Sequence, residues 1–202
     1  MKPMGIEYKG YRFRTALEAR WAIFFDACGV DWEYEPECYD LGDGLSYVPD
    51  FLLHGVSGRA GGDLYVEVIP RMTELDAIKI KRFAERSWDM EGMEEVIKNP
   101  VLIVGRLPDG VSAVDISEDI CWRAYCSENK GWPYEFNFET IDCDHFAAHP
   151  GINKKGGFEL FGDDNNYLRD RDDDATEKAY RAARQARFEF GRVPTVGRVC
   201  HA

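Results

Sequence analysis

An unbroken run of apolar residues between Pro100 and Gly105 constrains the fold more than any other feature of the sequence. Its residues, Val-Leu-Ile-Val, include no polar side chain that could face water. Such a strand is typical of a sheet that is covered on both of its faces. Helix and strand patterns surround the run, so we predict an α/β (α+β) fold in which helices pack on a mixed β-sheet.

A helix start and a series of strands precede this run. Thr15 followed by Glu18 forms a capping-box pattern, and the apolar residues after it recur with helical spacing. A Gly-rich segment over 54–63 is expected to be a hairpin loop, and the segment 89–99 has some helical character. The expected elements in order are a helix over 16–28, strands over 30–34, 46–53 and 64–69, a helix over 74–87 and a strand over 100–105.

The chain changes character after about residue 116. Strand patterns weaken, aromatic residues become frequent, and a run of Asp residues precedes an amphipathic segment over 175–190. That segment has apolar residues at helical spacing and ends before Gly191, so we expect a helix there. We therefore expect a core over 1–116 and an aromatic-rich extension over 117–202 that ends in this helix.

The chain carries an excess of acidic residues. It has 25 Lys and Arg residues against 37 Asp and Glu residues, which gives a net charge of −12. This excess excludes a basic coat that would bind nucleic acid without regard to its sequence. Contact with DNA would need a local basic patch or a metal ion to offset the negative field.

No segment predicts a membrane span or a signal peptide. A run of about 18 apolar residues is absent, and the first residues lack the apolar core of a signal peptide. The six Cys residues form no dense disulfide framework. Cys121, Cys126, Cys143 and His145 are a weak zinc candidate, with scattered core thiols as the alternative. We expect a cytoplasmic protein without membrane contact.

Three acidic residues, Glu18, Asp50 and Glu67, lie where the pattern predicts core elements. A carboxylate in such a position needs a partner or a metal, because burying a bare charge is costly. Converging carboxylates would bind Mg²⁺ through oxygen, and the metal would activate water and stabilise charge on a phosphate. Each residue also has a structural explanation: a helix cap for Glu18, a turn for Asp50, and a salt bridge to Arg20 or Arg71 for Glu67.

Four short motifs follow one another in the first part of the chain. They are FRTALEARWAIFFD at 13–26, YEPE at 34–37, YVPDF at 47–51 and EVI at 67–69. Their order resembles that in the PD-(D/E)XK nuclease-like superfamily, and most closely in its short phage and actinobacterial proteins. Those proteins have FRS-x-x-EARWA-x-FFD, then YEPE, then Y-x-PDF, then EVK.

The resemblance implies a restriction-endonuclease-like mixed sheet flanked by helices, with a C-terminal helical extension. It also implies a metal-dependent endonuclease or exonuclease that uses Mg²⁺ or Mn²⁺ to hydrolyse phosphodiester bonds in DNA. Carried over residue by residue, Glu18, Asp50 and Glu67 would be the catalytic acids and the metal ligands. The expected setting is the cytoplasm of a bacterial or phage-infected cell.

The third-strand motif departs from the family at Ile69, where the family has a Lys. Side chains at i and i+2 share a strand face, so that Lys would point at the same phosphate as Glu67. Ile can neither donate a hydrogen bond nor carry charge. In a catalytic site, Lys79 or Lys81 on the next helix would replace the missing lysine. Alternatively, the fold is catalytically inactive and binds a basic protein surface, as an acidic phage-encoded inhibitor or DNA mimic would.

Overall fold

Short strands and three helices alternate along the part of the chain that the structure describes. The computed structural model describes residues 6–57, 62–84, 86–89, 94–97, 99–108, 121–124, 149–161 and 170–188. The helices are α1 (Ala16–Ala27), α2 (Glu74–Ala84) and α3 (Asp173–Gln185). The strands are β1 (Ile6–Tyr8), β2 (Tyr11–Phe13), β3 (Trp32–Tyr34), β4 (Tyr39–Asp40), β5 (Ser46–Tyr47), β6 (Phe51–Ser57), β7 (Gly62–Val68), β8 (Arg86–Asp89), β9 (Glu94–Ile97), β10 (Val101–Val104), β11 (Cys121–Ala124), β12 (His149–Ile152) and β13 (Phe158–Phe161).

A five-stranded mixed sheet in the order β11-β10-β7-β6-β3 forms the centre of the fold. Strands β7 and β10 run parallel, and the other neighbouring pairs of this sheet run antiparallel. The remaining strands of the described residues form two-stranded antiparallel pairs. A mixed sheet combined with helices confirms the α+β class that the sequence predicts.

The apolar strand β10 is covered on both faces, as its sequence predicts. All four of its side chains are at most 3% exposed. Leu102 and Val104 belong to the core that contains α1 and α3, whereas Val101 and Ile103 pack with α2. This alternation follows from the two-residue period of a strand. The sheet is therefore the middle of three layers.

Helix α1 begins where the capping-box pattern predicts. The Thr15 hydroxyl accepts a hydrogen bond from the Glu18 N–H, and the Glu18 side chain accepts one from the Thr15 N–H. An aromatic face of the helix then packs into the core. Its Phe24 ring stacks on Tyr180 of α3, with ring centroids 4.3 Å apart. Helix α1 is thus held between the sheet and α3.

The predicted strand over 46–53 is interrupted in the structure. It forms two separate strands, β5 and β6, on either side of Pro49, which lacks the N–H that a continuous strand needs. Strand β6 then continues into the segment that the sequence predicts as a loop over 54–63. An irregularity in the pairing, with Gly55 at a φ of +68°, accommodates this glycine-rich stretch. The connection between β6 and β7 is therefore shorter than expected.

Other boundaries also differ from the sequence prediction. The segment 89–99, expected to have helical character, contributes to the antiparallel pair of β8 and β9. Helix α2 ends slightly early, at Ala84, and α3 begins and ends before the predicted 175–190. Asp172 caps α3, since its side chain accepts the Ala175 N–H at 2.9 Å. A run of Asp residues offers several such caps, so the pattern did not fix which one is used.

Residues beyond 116 share the sheet and the core with those before it. Strand β11 pairs with β10, and Tyr180 of α3 belongs to the same apolar core as Phe51 and Leu64. Most of the predicted zinc candidate, from Cys126 onward, lies outside the described residues. Within the described ranges, every helix is too short or too polar to cross a membrane.

Candidate active site

Two of the three predicted acids, Asp50 and Glu67, face each other across the β6–β7 hairpin. Phe51 pairs with Val66 there, so one further step of the register places Asp50 opposite Glu67. The Oε2 atom of Glu67 accepts the backbone N–H of Asp50 at 3.3 Å. Val66 packs with α1, so Glu67, the next residue of β7, lies on the α2 face of the sheet. The register thus joins two carboxylates that are 17 residues apart in sequence.

Tyr47 fixes the orientation of Glu67. Its ring is buried, and its hydroxyl donates a 2.8 Å hydrogen bond to Glu67 Oε2. In a regular strand, Tyr47 and Asp50 would point to opposite faces, because they are three residues apart. The interruption around Pro49 allows both to reach Glu67. Tyr47 belongs to the motif at 47–51. Its three-residue spacing from Asp50 does not predict that both residues contact Glu67.

Asp50 is deeply buried, with 3% of its surface exposed. Its Oδ2 accepts the backbone N–H of Val68 at 2.7 Å, and its Oδ1 accepts a hydrogen bond from the Arg14 guanidinium. Burial raises the pKa of the Asp50 carboxyl, and the Val68 N–H and Arg14 lower it only in part. The pKa therefore stays above its ordinary value.

The pKa of Glu67 is raised as well. Burial is the main cause and the neighbouring Asp50 charge adds to it, whereas the hydrogen bond from Tyr47 opposes it. Two carboxylates beside one guanidinium leave an excess of negative charge here. Such a pair favours a bound proton or a bound cation. The Oε1 atom of Glu67 accepts no hydrogen bond from the described residues, so one oxygen is open to a ligand.

Glu18 is buried, with 4% exposed, and its oxygens already have partners. Oε1 accepts the Thr15 hydroxyl at 2.9 Å, and Oε2 accepts the Tyr34 hydroxyl at 2.6 Å. Oε2 also accepts the backbone N–H groups of Arg14 and Thr15, at 3.0 and 3.3 Å. The structure thus shows the helix-capping role. A role for Glu18 as third metal ligand stays a prediction, because a metal would have to replace these hydrogen bonds.

Arg14, between β2 and α1, brings positive charge to the acidic pair. Its Nη2 contacts Asp50 Oδ1, and its Nε lies 3.0 Å from Glu35 Oε1 in an ion pair. Its backbone N–H donates to the Glu18 side chain, so the start of α1 fixes the position of the Arg14 backbone. The sequence prediction missed Arg14, because the contact with Asp50 joins residues 36 positions apart. Its place in the FRS-like motif was the available signal.

Ile69 and the two candidate lysines lie on the α2 side of the sheet. Ile69 is half-buried and packs against the apolar cluster beneath α2. Lys79 is half-buried on α2, and Lys81 is exposed on the same helix. The described residues show no hydrogen bond or ion pair between Lys79 and any of the three predicted acids. The replacement of the strand lysine by Lys79 or Lys81 therefore stays a prediction.

The donor set of Asp50 and Glu67 fits Mg²⁺ or Mn²⁺. Mg²⁺ commonly binds through one or two carboxylates, and water and substrate phosphates complete its shell. This pair offers an open oxygen, and with both carboxylates ionised it carries more negative charge than the single Arg14 guanidinium offsets. Among the described residues, no group of three or more His, Cys, Asp or Glu side chains is arranged to hold a metal ion. A site here would thus use two protein carboxylates instead of the three expected.

Comparison of the chain with protein-family models, with curated proteins and with solved structures finds no match. The resemblance to the PD-(D/E)XK superfamily therefore rests on the four sequence motifs alone. The geometry adds what those motifs do not contain, namely the contacts that Tyr47 and Arg14 make with Glu67 and Asp50. Function is accordingly inferred from these four residues and their surroundings.

Proposed function

We propose that the chain is a metal-dependent deoxyribonuclease with a restriction-endonuclease-like fold, which hydrolyses phosphodiester bonds in DNA. The observation that carries the proposal is the convergence of two carboxylates, the buried Asp50 and the half-buried Glu67, at one position on the sheet. Placing like charges together in a poorly solvated position costs free energy, which a bound cation offsets. The order of the four sequence motifs supports the same conclusion.

The residues around the pair would hold and orient a metal ion. Bound Mg²⁺ or Mn²⁺ would supply a Lewis acid and activate a water for attack on phosphorus. Asp50 and Glu67 would bind it through carboxylate oxygens. Tyr47 orients Glu67, and the Val68 N–H orients Asp50. Losing an orienting partner of this kind commonly lowers metal affinity or activity about 10- to 100-fold.

The net charge of −12 links DNA binding to the metal. An acidic protein repels the phosphate backbone, so a divalent cation at the carboxylate pair would aid binding as well as chemistry. We therefore expect a labelled DNA duplex to bind in Ca²⁺, and to lose most of that binding in EDTA. Equal binding in Ca²⁺ and EDTA would argue against this link.

Cleavage assays test the proposed activity directly. Supercoiled plasmid, linear duplex and single-stranded DNA are incubated with the protein in Mg²⁺ or Mn²⁺. Glu67→Gln and Asp50→Asn should each slow cleavage at least about 100-fold, because each removes a metal ligand. Glu33→Gln is the matched control, since Glu33 is an exposed acid on the same sheet face. Cleavage that persists in both site variants, or that is absent on every form of DNA, contradicts the proposal.

A catalytically inactive protein that binds a basic protein surface is the second candidate. Ile69 favours it, because an apolar side chain packed beneath α2 stands where the family has a lysine. The acidic charge suits a partner with a basic surface, as a DNA mimic would require. A folded wild-type protein that neither binds Mn²⁺ in calorimetry nor cleaves DNA would favour this candidate over the nuclease.

A further inference from the structure

The Arg14 side chain contacts Asp50 of the acidic pair and is also exposed to solvent. Its Nη2 and Nε contact Asp50 and Glu35, and it also interacts with the Tyr34 hydroxyl. A guanidinium has five N–H donors, more than these three partners need. The Arg14 side chain is 55% exposed, although the Asp50 carboxylate in contact with it is buried. The guanidinium therefore has donors that remain free to bind an anion from solvent.

The backbone at Glu35 adds an independent observation. Glu35 has a φ of +48°, a left-handed conformation that is unfavourable for a residue with a β-carbon. Its N–H donates to the Asp50 carbonyl at 2.9 Å, and its carboxylate binds Arg14. Backbone strain of this kind concentrates at functional sites. The chain thus keeps an unfavourable conformation at the residue that holds Arg14 beside Asp50.

We propose that Arg14 is the phosphate-binding cation of this site. It would replace the lysine for which this chain has Ile69. The proposal rests on the nuclease function proposed above. A guanidinium binds two phosphate oxygens through parallel N–H bonds and stays charged at neutral pH. Arg14 contacts one of the two convergent carboxylates, whereas Lys79 contacts neither. A phosphate bound at Arg14 would therefore lie beside Asp50 and Glu67.

The contact with Asp50 gives this role a measurable signature. Arg14 and a metal ion at Asp50 would share one carboxylate, and their like charges repel. Removing the guanidinium should strengthen metal binding in the absence of DNA. The same change should weaken DNA binding and slow cleavage, because the phosphate loses its donor. A residue with a structural role alone would not move these quantities in opposite directions.

The experiment compares the full-length wild type with Arg14→Gln and with the control Arg12→Gln. Arg12 is an exposed arginine of β2 that pairs with Glu7. Mn²⁺ affinity is measured by calorimetry without DNA, duplex affinity by anisotropy in Ca²⁺, and cleavage in Mg²⁺. Arg14→Gln should bind Mn²⁺ about fivefold more tightly, bind DNA about tenfold more weakly and cleave about 100-fold more slowly. Arg12→Gln should match the wild type in all three.

A second variant, Arg14→Lys, keeps a charge beside Asp50 but loses the planar fork. It should bind Mn²⁺ like the wild type and cleave about tenfold more slowly. Circular dichroism verifies that each variant is folded. If Arg14→Gln keeps wild-type Mn²⁺ affinity and cleavage, the role of Arg14 is wrong and the nuclease proposal stands. A wild-type protein that neither binds Mn²⁺ nor cleaves DNA overturns both proposals.

Discussion

At the scale of single residues, the proximity of Asp50 and Glu67 serves the proposed activity but lowers the stability of the fold. Like charges directly opposite each other in an antiparallel pair destabilise it. Burial adds to this, and it raises the pKa of both carboxyls. Functional sites often keep such unfavourable arrangements, and stabilising substitutions there commonly reduce activity. Removing one of the two charges should therefore stabilise the metal-free protein.

The pKa of Glu67 is raised to about 8, so the repulsion is fully present only above that pH. At about pH 9 in EDTA, Glu67→Gln should raise the free energy of unfolding by roughly 1 kcal/mol, because the repulsion disappears while the side-chain shape is kept. The Gln carbonyl can still accept the Tyr47 hydroxyl and the Asp50 N–H. Denaturant unfolding of both proteins measures the difference. Tyr47→Phe is the companion variant, which keeps the charge pair but removes a donor, and it should lower stability. A Glu67→Gln protein that is less stable than the wild type would show that Glu67 stabilises the fold.

At the scale of elements, Glu18 at the start of α1 has two candidate roles. Glu18 completes the capping box with Thr15 and accepts the Tyr34 hydroxyl. The family resemblance makes the same residue a metal ligand. A glutamine accepts hydrogen bonds through its carbonyl and is tolerated in a capping box, but it brings no negative charge to a metal. Glu18→Gln therefore separates the two roles.

Glu18→Gln should unfold within about 1 kcal/mol of the wild type. Glu18→Ala should lose about 2 kcal/mol or more, because several buried donors would lose their acceptor. If Glu18 binds metal, Glu18→Gln should cleave DNA as poorly as Glu67→Gln. A cleavage rate near that of the wild type would leave Glu18 as a cap alone. Chemical denaturation and plasmid cleavage provide the two measurements, and a fully stable Glu18→Ala protein would contradict the capping role.

Helices and strands can be predicted from the sequence where the pattern that specifies them lies within a short segment. The capping box and the apolar run are local, and α1 and β10 occur where they predict. The pairing of β8 with β9 depends on contacts between two segments, which a pattern within one segment does not contain. The split between β5 and β6 had a local signal in Pro49, which the sequence prediction did not use. The site divides in the same way. The sequence motifs predict Asp50 and Glu67 as site residues, whereas the contact of Arg14 with Asp50 is seen only in the folded structure.

At the scale of the whole molecule, α3 completes the core that the sheet and α1 begin. Tyr180 is 2% exposed, stacks on Phe24, and donates its hydroxyl to the carbonyl of Pro150 at 2.7 Å. Thr176 of the same helix accepts the backbone N–H of Ile152 at 2.9 Å. These contacts tie the late part of the chain to α1 and to β12. We therefore expect α3 and the sheet to unfold together.

Tyr180→Ala should lower the free energy of unfolding by about 3–5 kcal/mol, the usual cost of truncating a large aromatic side chain in a core. Tyr180→Phe keeps the ring but leaves the Pro150 carbonyl without its donor, so it should cost about 1–2 kcal/mol. Each protein should unfold in a single transition, seen alike by far-ultraviolet circular dichroism and tryptophan fluorescence. Two transitions, of which Tyr180→Ala shifts only one, would show that α3 unfolds independently. Glu67 lies on the opposite face of the sheet from α3, because its neighbours Val66 and Val68 pack in the core that contains α3, so folded Tyr180→Ala should cleave DNA at the wild-type rate.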